Sequence, residues 1–258
     1  MKPHSILGAF SVCDMSVKYD FHIHSCLSPC GNDDMTPNNI AGMAMLGGFE
    51  VIALTDHNTS KNCPAFFEAC RKVGIVPIAG MELTTAEEIH LVCLFPTLDG
   101  AMEFSDYVDQ NRMKIPNRPD IFGEQLVMNG DDEVIGREES LLIPATDLDV
   151  FTAAKEVRAR GGAAYPAHID KQSNGIIAIL GDIPKEAGFT TAEVKDPDKI
   201  AELKERFPIL RGMLIVSDSD AHCLENMGFD SPSLDGVTLS EDENFTRNTI
   251  ISRLRGEI

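Results

Sequence analysis

The sequence predicts an α/β fold in which parallel βαβ units build either a (β/α) barrel or a doubly wound sheet. Three observations lead there. Short apolar runs alternate with amphipathic segments of about ten residues. The 258 residues suit one barrel or one large domain with an insertion. Finally, His, Asp and Glu recur where the apolar runs end, the place where such folds carry their sites.

Residues 18–24 read as the first strand. Thr36 is the N-cap of a helix over 37–46, with Pro37 in its first turn, and 51–55 is the second strand. A helix over 64–73 stops at Gly74. Strands follow at 75–79 and 89–95, then a helix over 101–110. A helix over 148–160 ends at Gly161-Gly162 and precedes a strand at 163–167. Strands at 190–194 and 213–217 flank a helix over 197–207, and a helix over 246–255 closes the chain. Residues 97–146 break this rhythm with Asn117-Arg118-Pro119, Asn129-Gly130-Asp131-Asp132-Glu133 and Gly136-Arg137-Glu138-Glu139. These are turn and charge signals, and they predict an insertion in a single domain spanning 1–258, either a lid or a surface excursion.

Composition narrows the function classes. With 22 Lys+Arg against 41 Asp+Glu the chain carries −19, and no cluster of basic residues stands out in the sequence. Nonspecific binding of a phosphate backbone is therefore not expected. Apolar residues at 43% and charged residues at 24% fit an ordinary globular protein. Cys13, Cys26, Cys30, Cys63, Cys70, Cys93 and Cys223 are odd in number and form no CxxC, as expected of reduced thiols in a cytoplasmic protein. The weakly apolar run at 5–13 lacks a small-x-small cleavage site, and no stretch approaches the roughly 18 to 20 apolar residues of a membrane span. Neither G-x-S-x-G, a P-loop nor G-x-G-x-x-G is present, which leaves serine-hydrolase, ATP-driven and dinucleotide chemistry without a motif.

The histidines carry the functional signal. Apart from His4, they lie in or just beyond predicted strands: His22, His24, His57, His90, His168 and His222. Alternation puts Asp20, His22 and His24 on one face of the first strand, so two imidazoles converge on one point. Taken alone, an HxH is more often a polar strand face, and the Asp residues of Thr55-Asp56-His57 or Asp220-Ala221-His222 are common helix caps. Together, five His with Glu82 and Asp220 fall at the same end of five strands. Burying them unshared would cost several kcal/mol, and a metal ion is the partner that imidazole nitrogen and carboxylate oxygen have in common.

In order, Asp20-x-His22-x-His24, Thr55-Asp56-His57, Gly80-Met81-Glu82, His90, Pro166-Ala167-His168 and Asp220-Ala221-His222 resemble the motifs of the PHP (polymerase and histidinol phosphatase) superfamily. That resemblance implies a distorted (β/α)7, TIM-like barrel and a stand-alone phosphoesterase with two to three divalent ions, Zn, Mn or Fe. It assigns His22, His24, Glu82 and Asp220 to one ion. Glu82 would bridge to a second held by His90 and His168, and His57 and His222 would hold a third with a residue of the loop after His24. Family members usually offer a His or a short Ser-Asp-Gly turn at that last position. The loop here is longer, with Asp34 and Asp33 as candidates and Cys30 as a weaker one, the alternative being that both acids merely favour the following helix dipole.

Glu82, Asp220 and His222 are thus the expected catalytic ligands, around a metal-activated water that attacks phosphorus in line. Asp20 and Asp56 are expected to orient ligands rather than bind metal. Lys171, Lys61 and Arg118 are candidates for the substrate phosphate, each with a solvated surface charge as the plainer alternative. Because the acidic surface repels polyanions, the expected substrate is a small phosphorylated metabolite: a nucleotide, a nucleoside bisphosphate or an amino-alcohol phosphate. No membrane partner is expected. The rival readings are a single-strand nuclease, disfavoured by the absence of Trp and the presence of only three Tyr, and a catalytically idle metal-binding module.

Overall fold

The computed structural model describes residues 16–228 and 232–258; the readings of His4, Cys13 and the 5–13 run lie outside the described residues. Its centre is a six-stranded mixed sheet in the order β10-β1-β2-β3-β4-β7. β1 (Ser16–Asp20), β2 (Val51–Leu54) and β3 (Val76–Thr84) are parallel neighbours. β2 is buried on both faces, as an interior parallel strand must be. β1 ends before the 18–24 expectation because side chains take over its backbone partners. Asp218 Oδ1 accepts from Phe21 N at 2.6 Å, and Thr55 Oγ1 accepts from Ile23 N at 3.1 Å.

α1 (Pro37–Leu46) starts at Thr36, whose hydroxyl accepts from Asn39 N, and α2 (Cys63–Val73) stops at Gly74, which takes the left-handed φ of 77°. β4 (His90–Phe95) returns antiparallel to β3, because 85–89 is a tight turn closed by Thr85 N to Ile89 O at 2.9 Å and is too short for a crossover helix. The two strands approach so closely at Gly80 that a Cβ there would lie 2.5 Å from Cys93 O. β7 (Ala163–Pro166) is antiparallel to β4 in turn. A strict repeat of seven parallel β/α units is therefore not what the described residues show: the fold is mixed α/β, a curled half-barrel of TIM-like kind.

α3 (Leu98–Gln110) begins the segment expected to be an insertion, yet it buries Phe104 and Val108 in the main core. Only after it does the chain leave the sheet, through α4 (Pro119–Phe122) and a two-stranded ribbon of β5 (Leu126–Met128) and β6 (Val134–Arg137). It rejoins at Thr146, whose backbone N donates to Thr84 O. α5 (Val150–Ala159), capped by Asp149, leads into β7, and α6 (Ile176–Leu180) follows. β8 (Thr191–Glu193) and β9 (Leu214–Val216) pair in parallel around α7 (Ile200–Arg206). β10 (Ser233–Asp235) and α8 (Glu243–Leu254) finish the chain.

Two apolar clusters flank the sheet. One joins Ile52 and Leu54 to α1, α2, α3 and α5; the other joins Val51, Ala53, Tyr19, Phe21 and Tyr165 to Ile250, Ile251 and Leu254 of α8. Successive β2 residues thus belong to opposite clusters, as the period-2 alternation requires. A parallel bridge from Ile23 to Ala221 ties the end of the first strand to the chain after β9 and closes the polar end of the fold.

Candidate metal centre

Glu82, near the end of β3, is 1% exposed and is the hub of the polar end. His22 Nε2 lies 3.3 Å and His168 Nε2 3.2 Å from its Oε1, and His90 Nδ1 lies 2.7 Å from the same oxygen. On the other side, His24 Nε2 at 3.3 Å and His57 Nδ1 at 3.1 Å approach Oε2. Asp220 Oδ1 comes within 3.5 Å of His22 Nε2 and 3.4 Å of His24 Nε2. Among the described residues, three groups of ligand atoms each lie within 4.8 Å of one another: His22, His24, Glu82 and Asp220; His57, Glu82 and His90; and His24, Cys30, His57 and His222.

The donor set fits divalent ions better than it fits itself. His22 Nε2 and His24 Nε2 face each other at 3.2 Å, and only one of two such nitrogens can supply a proton to the contact. His57 Nδ1 is near Glu82 at an angle that makes no hydrogen bond, and His168 Nδ1 has no hydrogen-bond partner. Burial pushes the His57 imidazole well below its ordinary pKa, and burial together with nearby His24 lowers His222 to about 4. Both therefore present free lone pairs at neutral pH. Glu82 is held well below the usual carboxylate range: burial opposes this, and the imidazoles of His90, His22 and His57 outweigh it. His168 and Asp220 carry left-handed φ values of 30° and 47°, conformations that a non-glycine residue keeps only where its surroundings enforce them.

Around these ligands lies a hydrogen-bonded support. Asp56 accepts from Ser25 N at 2.7 Å, from Ser25 Oγ at 2.6 Å and from Ser28 Oγ at 2.7 Å, and Ser28 Oγ meets His24 Nδ1 at 3.0 Å. Asp56 thus acts on an imidazole through a serine. Asp20 touches no imidazole: its Oδ1 accepts from His22 N at 3.2 Å and Ser219 N at 3.1 Å, holding two backbone segments, and burial pushes its carboxyl up to about 6. The direct carboxylate partner is Glu193, whose Oε2 is 2.8 Å from His22 Nδ1. Sequence reading missed it. The signal was there in β8, where alternation aligns Thr191 with Glu193, but no histidine accompanies that strand.

Several expected residues lie elsewhere. Asp33 and Asp34 are exposed and belong to none of the ligand groups, whereas Cys30 does. The reason is local: Asp34 directly precedes the buried Met35 at the foot of α1, and its carbonyl is tied to Asn39 Nδ2. Lys61 pairs with Glu138 and Arg118 with Asp120, and neither lines the site cavity. Lys171 does line it, with Nζ 2.5 Å from Asp220 Oδ2. That cavity, about 190 Å³, is also bounded by Cys30, His57, His168 and His222. Beside it Lys171 and Lys195 line one adjoining hollow with Asp220, and Lys171, Lys199 and Arg206 line another with Asp170 and Glu202 that continues to Phe207.

A curled α/β sheet with buried His and carboxylate ligands converging at one end defines the class, a metal-dependent hydrolase. Residues 20–139 match the family model of the PHP domain. It is similar to the 5′-3′ exoribonuclease of Haemophilus influenzae, with 26% identity over 60% of this chain and 69% of that protein. In fold it is similar to the lesion-specific endonuclease PfuEndoQ from Pyrococcus furiosus, at a TM-score of 0.64 and 19% identity, covering 94% of this chain and 56% of that one. A complex of endonuclease Q with a 27-mer duplex carrying an abasic lesion matches at a TM-score of 0.56 and 19% identity, over 81% of this chain and 50% of the other. The chain thus spans about half of these endonucleases.

These relatives overturn one expectation. A small phosphorylated metabolite was expected and nucleic acid was not, yet the similar proteins are an exoribonuclease and a DNA endonuclease. The error has a physical cause. Net charge governs the distant field and says little about one site, where Lys171, Lys195, Lys199 and Arg206 stand beside the cavity together with Asp170, Glu202 and Asp220. Among the described residues, no helix is long and apolar enough to cross a membrane.

Proposed function

We propose that the chain hydrolyses phosphodiester bonds of nucleic acid at this centre, acting on single strands or strand ends. The observation that carries the reading is the juxtaposition of a cavity walled by imidazoles with a flank where Lys171, Lys195, Lys199 and Arg206, each paired with a protein oxygen, can exchange that partner for a phosphate. Divalent ions, Zn, Mn or Fe, bound by His22, His24, Glu82 and Asp220, by Glu82, His90 and His168, and by His57 and His222, would polarise the phosphoryl oxygens and supply hydroxide at neutral pH.

The protein's own groups do the rest. Glu82 offers one oxygen to each side of the cluster and holds the two sets of imidazoles at a fixed spacing. Burial opposes ionisation of Asp220, but His22 and His24 outweigh it and keep the carboxylate charged, and with His222 it completes the rim. Lys171 reaches over that rim, where a phosphate oxygen can share its ammonium with Asp220. The cations beyond it would track a phosphodiester backbone.

The excursion after α3 acts in this reading as a fixed wall of the single PHP domain. Leu126 N donates to Cys26 O, and Asn58 Nδ2 donates to Leu142 O, so the segment is anchored beside the ligand loops.

The test is cleavage of end-labelled RNA and DNA oligonucleotides, single-stranded and duplex, with added Mn or Zn and with chelator. Shortening of single strands that chelator abolishes is the expected result. Intact oligonucleotides under every metal condition would overturn the proposal.

A further inference from the structure

The loop after His24 is built around its thiol. Ser28 N donates to Ser25 O at 3.0 Å and Gly31 N to Ser28 O at 2.9 Å, so 25–31 is a double turn. Asn32 N then donates to His222 O at 2.9 Å, which pins the far side of the loop to a site histidine. Position 31 tolerates no side chain, since a Cβ would stand 2.3 Å from Ser25 O. Between these fixed points sits Cys30. Its sulfur joins ring nitrogens of His24, His57 and His222 in one group whose ligand atoms all lie within 4.8 Å of one another. The imidazoles of His24 and His222 are stacked with centroids 4.3 Å apart, so this group is held from both sides. Cys30 also lines the cavity, while the carboxylates of Asp33 and Asp34 stay outside the group.

From this geometry we infer that Cys30 is a metal ligand, and that with His57 and His222 it makes a nitrogen and thiolate position distinct in chemical preference from the carboxylate-rich position around Glu82 and Asp220. The inference rests on the reading of the cluster as a metal centre. A thiolate is a soft donor, and imidazoles with one thiolate form a set suited to zinc or cobalt and poorly suited to magnesium or manganese. One cluster therefore holds two kinds of site: one where oxygen donors admit hard ions, and one at the cavity mouth where sulfur selects a softer ion. On binding, the thiol gives up its proton to solvent and the ion takes its place.

Cobalt(II) loading reads this directly, without turnover. The wild-type protein should show a near-ultraviolet sulfur-to-cobalt charge-transfer band, and Cys30→Ser should lose that band and one bound zinc per chain. Cys30→Asp should recover the ion without the band. Cys223, adjacent to His222 and half-buried, is the competing thiol, so Cys223→Ser should keep the band. Zinc should also slow alkylation of Cys30, read by peptide mapping. Thermal unfolding of the metal-stripped variants controls for folding, which an exposed Cys-to-Ser exchange should leave intact. A wild-type protein that binds cobalt without the band, a band lost in Cys223→Ser, or an unchanged zinc count in Cys30→Ser would each overturn the assignment. A wild-type protein that binds no ion at all would instead refute the metal centre itself.

Discussion

Glu193 Oε2 lies 2.8 Å from Nδ1 of His22, with both side chains fully buried. That contact fixes which way the imidazole faces and leaves Nε2 directed at Glu82 and Asp220. Carboxylates behind ligand histidines are typically worth about 10–100-fold in metal affinity or activity. Glu193→Ala should therefore weaken metal retention by that order, measured by competition with a chromophoric chelator. Wild-type retention in this variant would show that the contact is merely structural.

Glu82 stands between five imidazoles, so its removal should act on more than one ion. Glu82→Ala is expected to lose bound metal and oligonucleotide cleavage together, read by elemental analysis and by gel assay on the same sample. Retained cleavage with retained ions would sink the bridging role.

Lys199 and Arg206 flank the cavity without belonging to the ligand cluster. Replacing both by alanine should weaken binding of single-stranded oligonucleotides and leave cleavage at saturating substrate unchanged. The log-log slope of binding against salt should fall by about one unit for each backbone phosphate that the variant no longer neutralises. An unaltered slope would mean that the strand runs elsewhere.

Away from the centre, Glu138 joins Lys61 and the buried Arg112, its Oε1 lying 2.8 Å from Arg112 Nη2. Burial raises the Glu138 carboxyl, but the ion pairs with Lys61 and Arg112 prevail and hold it below its ordinary pKa. A carboxyl depressed on folding stabilises the folded state above its unfolded value of about 4.3, and that stabilisation disappears as pH falls through the folded value. Glu138→Gln should thus lower the melting temperature at pH 7, and the gap to wild type should close as the solution is acidified below about 4. A gap independent of pH would contradict the ion-pair account.

Much of this was legible in the linear chain, because the rules involved are local. Thr36 with Pro37 starts a helix and Gly74 ends one by backbone chemistry alone. Strand alternation set Asp20, His22 and His24 on one face before any partner was known. The ligand types His22, His24, His57, Glu82, His90, His168, Asp220 and His222 stand out because so many fall where strands end, and the structure brings all of them to one end of the sheet. The antiparallel return of β4 was less visible: it depends on the length of the 85–89 turn and on the close approach of Gly80 to Cys93.

What only the tertiary structure decided are relationships across long sequence separations. Glu193 meets His22 from 171 residues away, and the alternation within β8 sets its face without naming that partner. Cys30 joins the cluster where the local turn at Gly31 and the contact of Asn32 N with His222 O meet, and the second of these depends on a backbone atom far along the chain. A chain of −19 still lines the two hollows beside the cavity with Lys171, Lys195, Lys199 and Arg206, interleaved with Asp170, Glu202 and Asp220. Composition sums charge over the whole molecule, whereas a phosphate feels the charges within about a Debye length of where it sits.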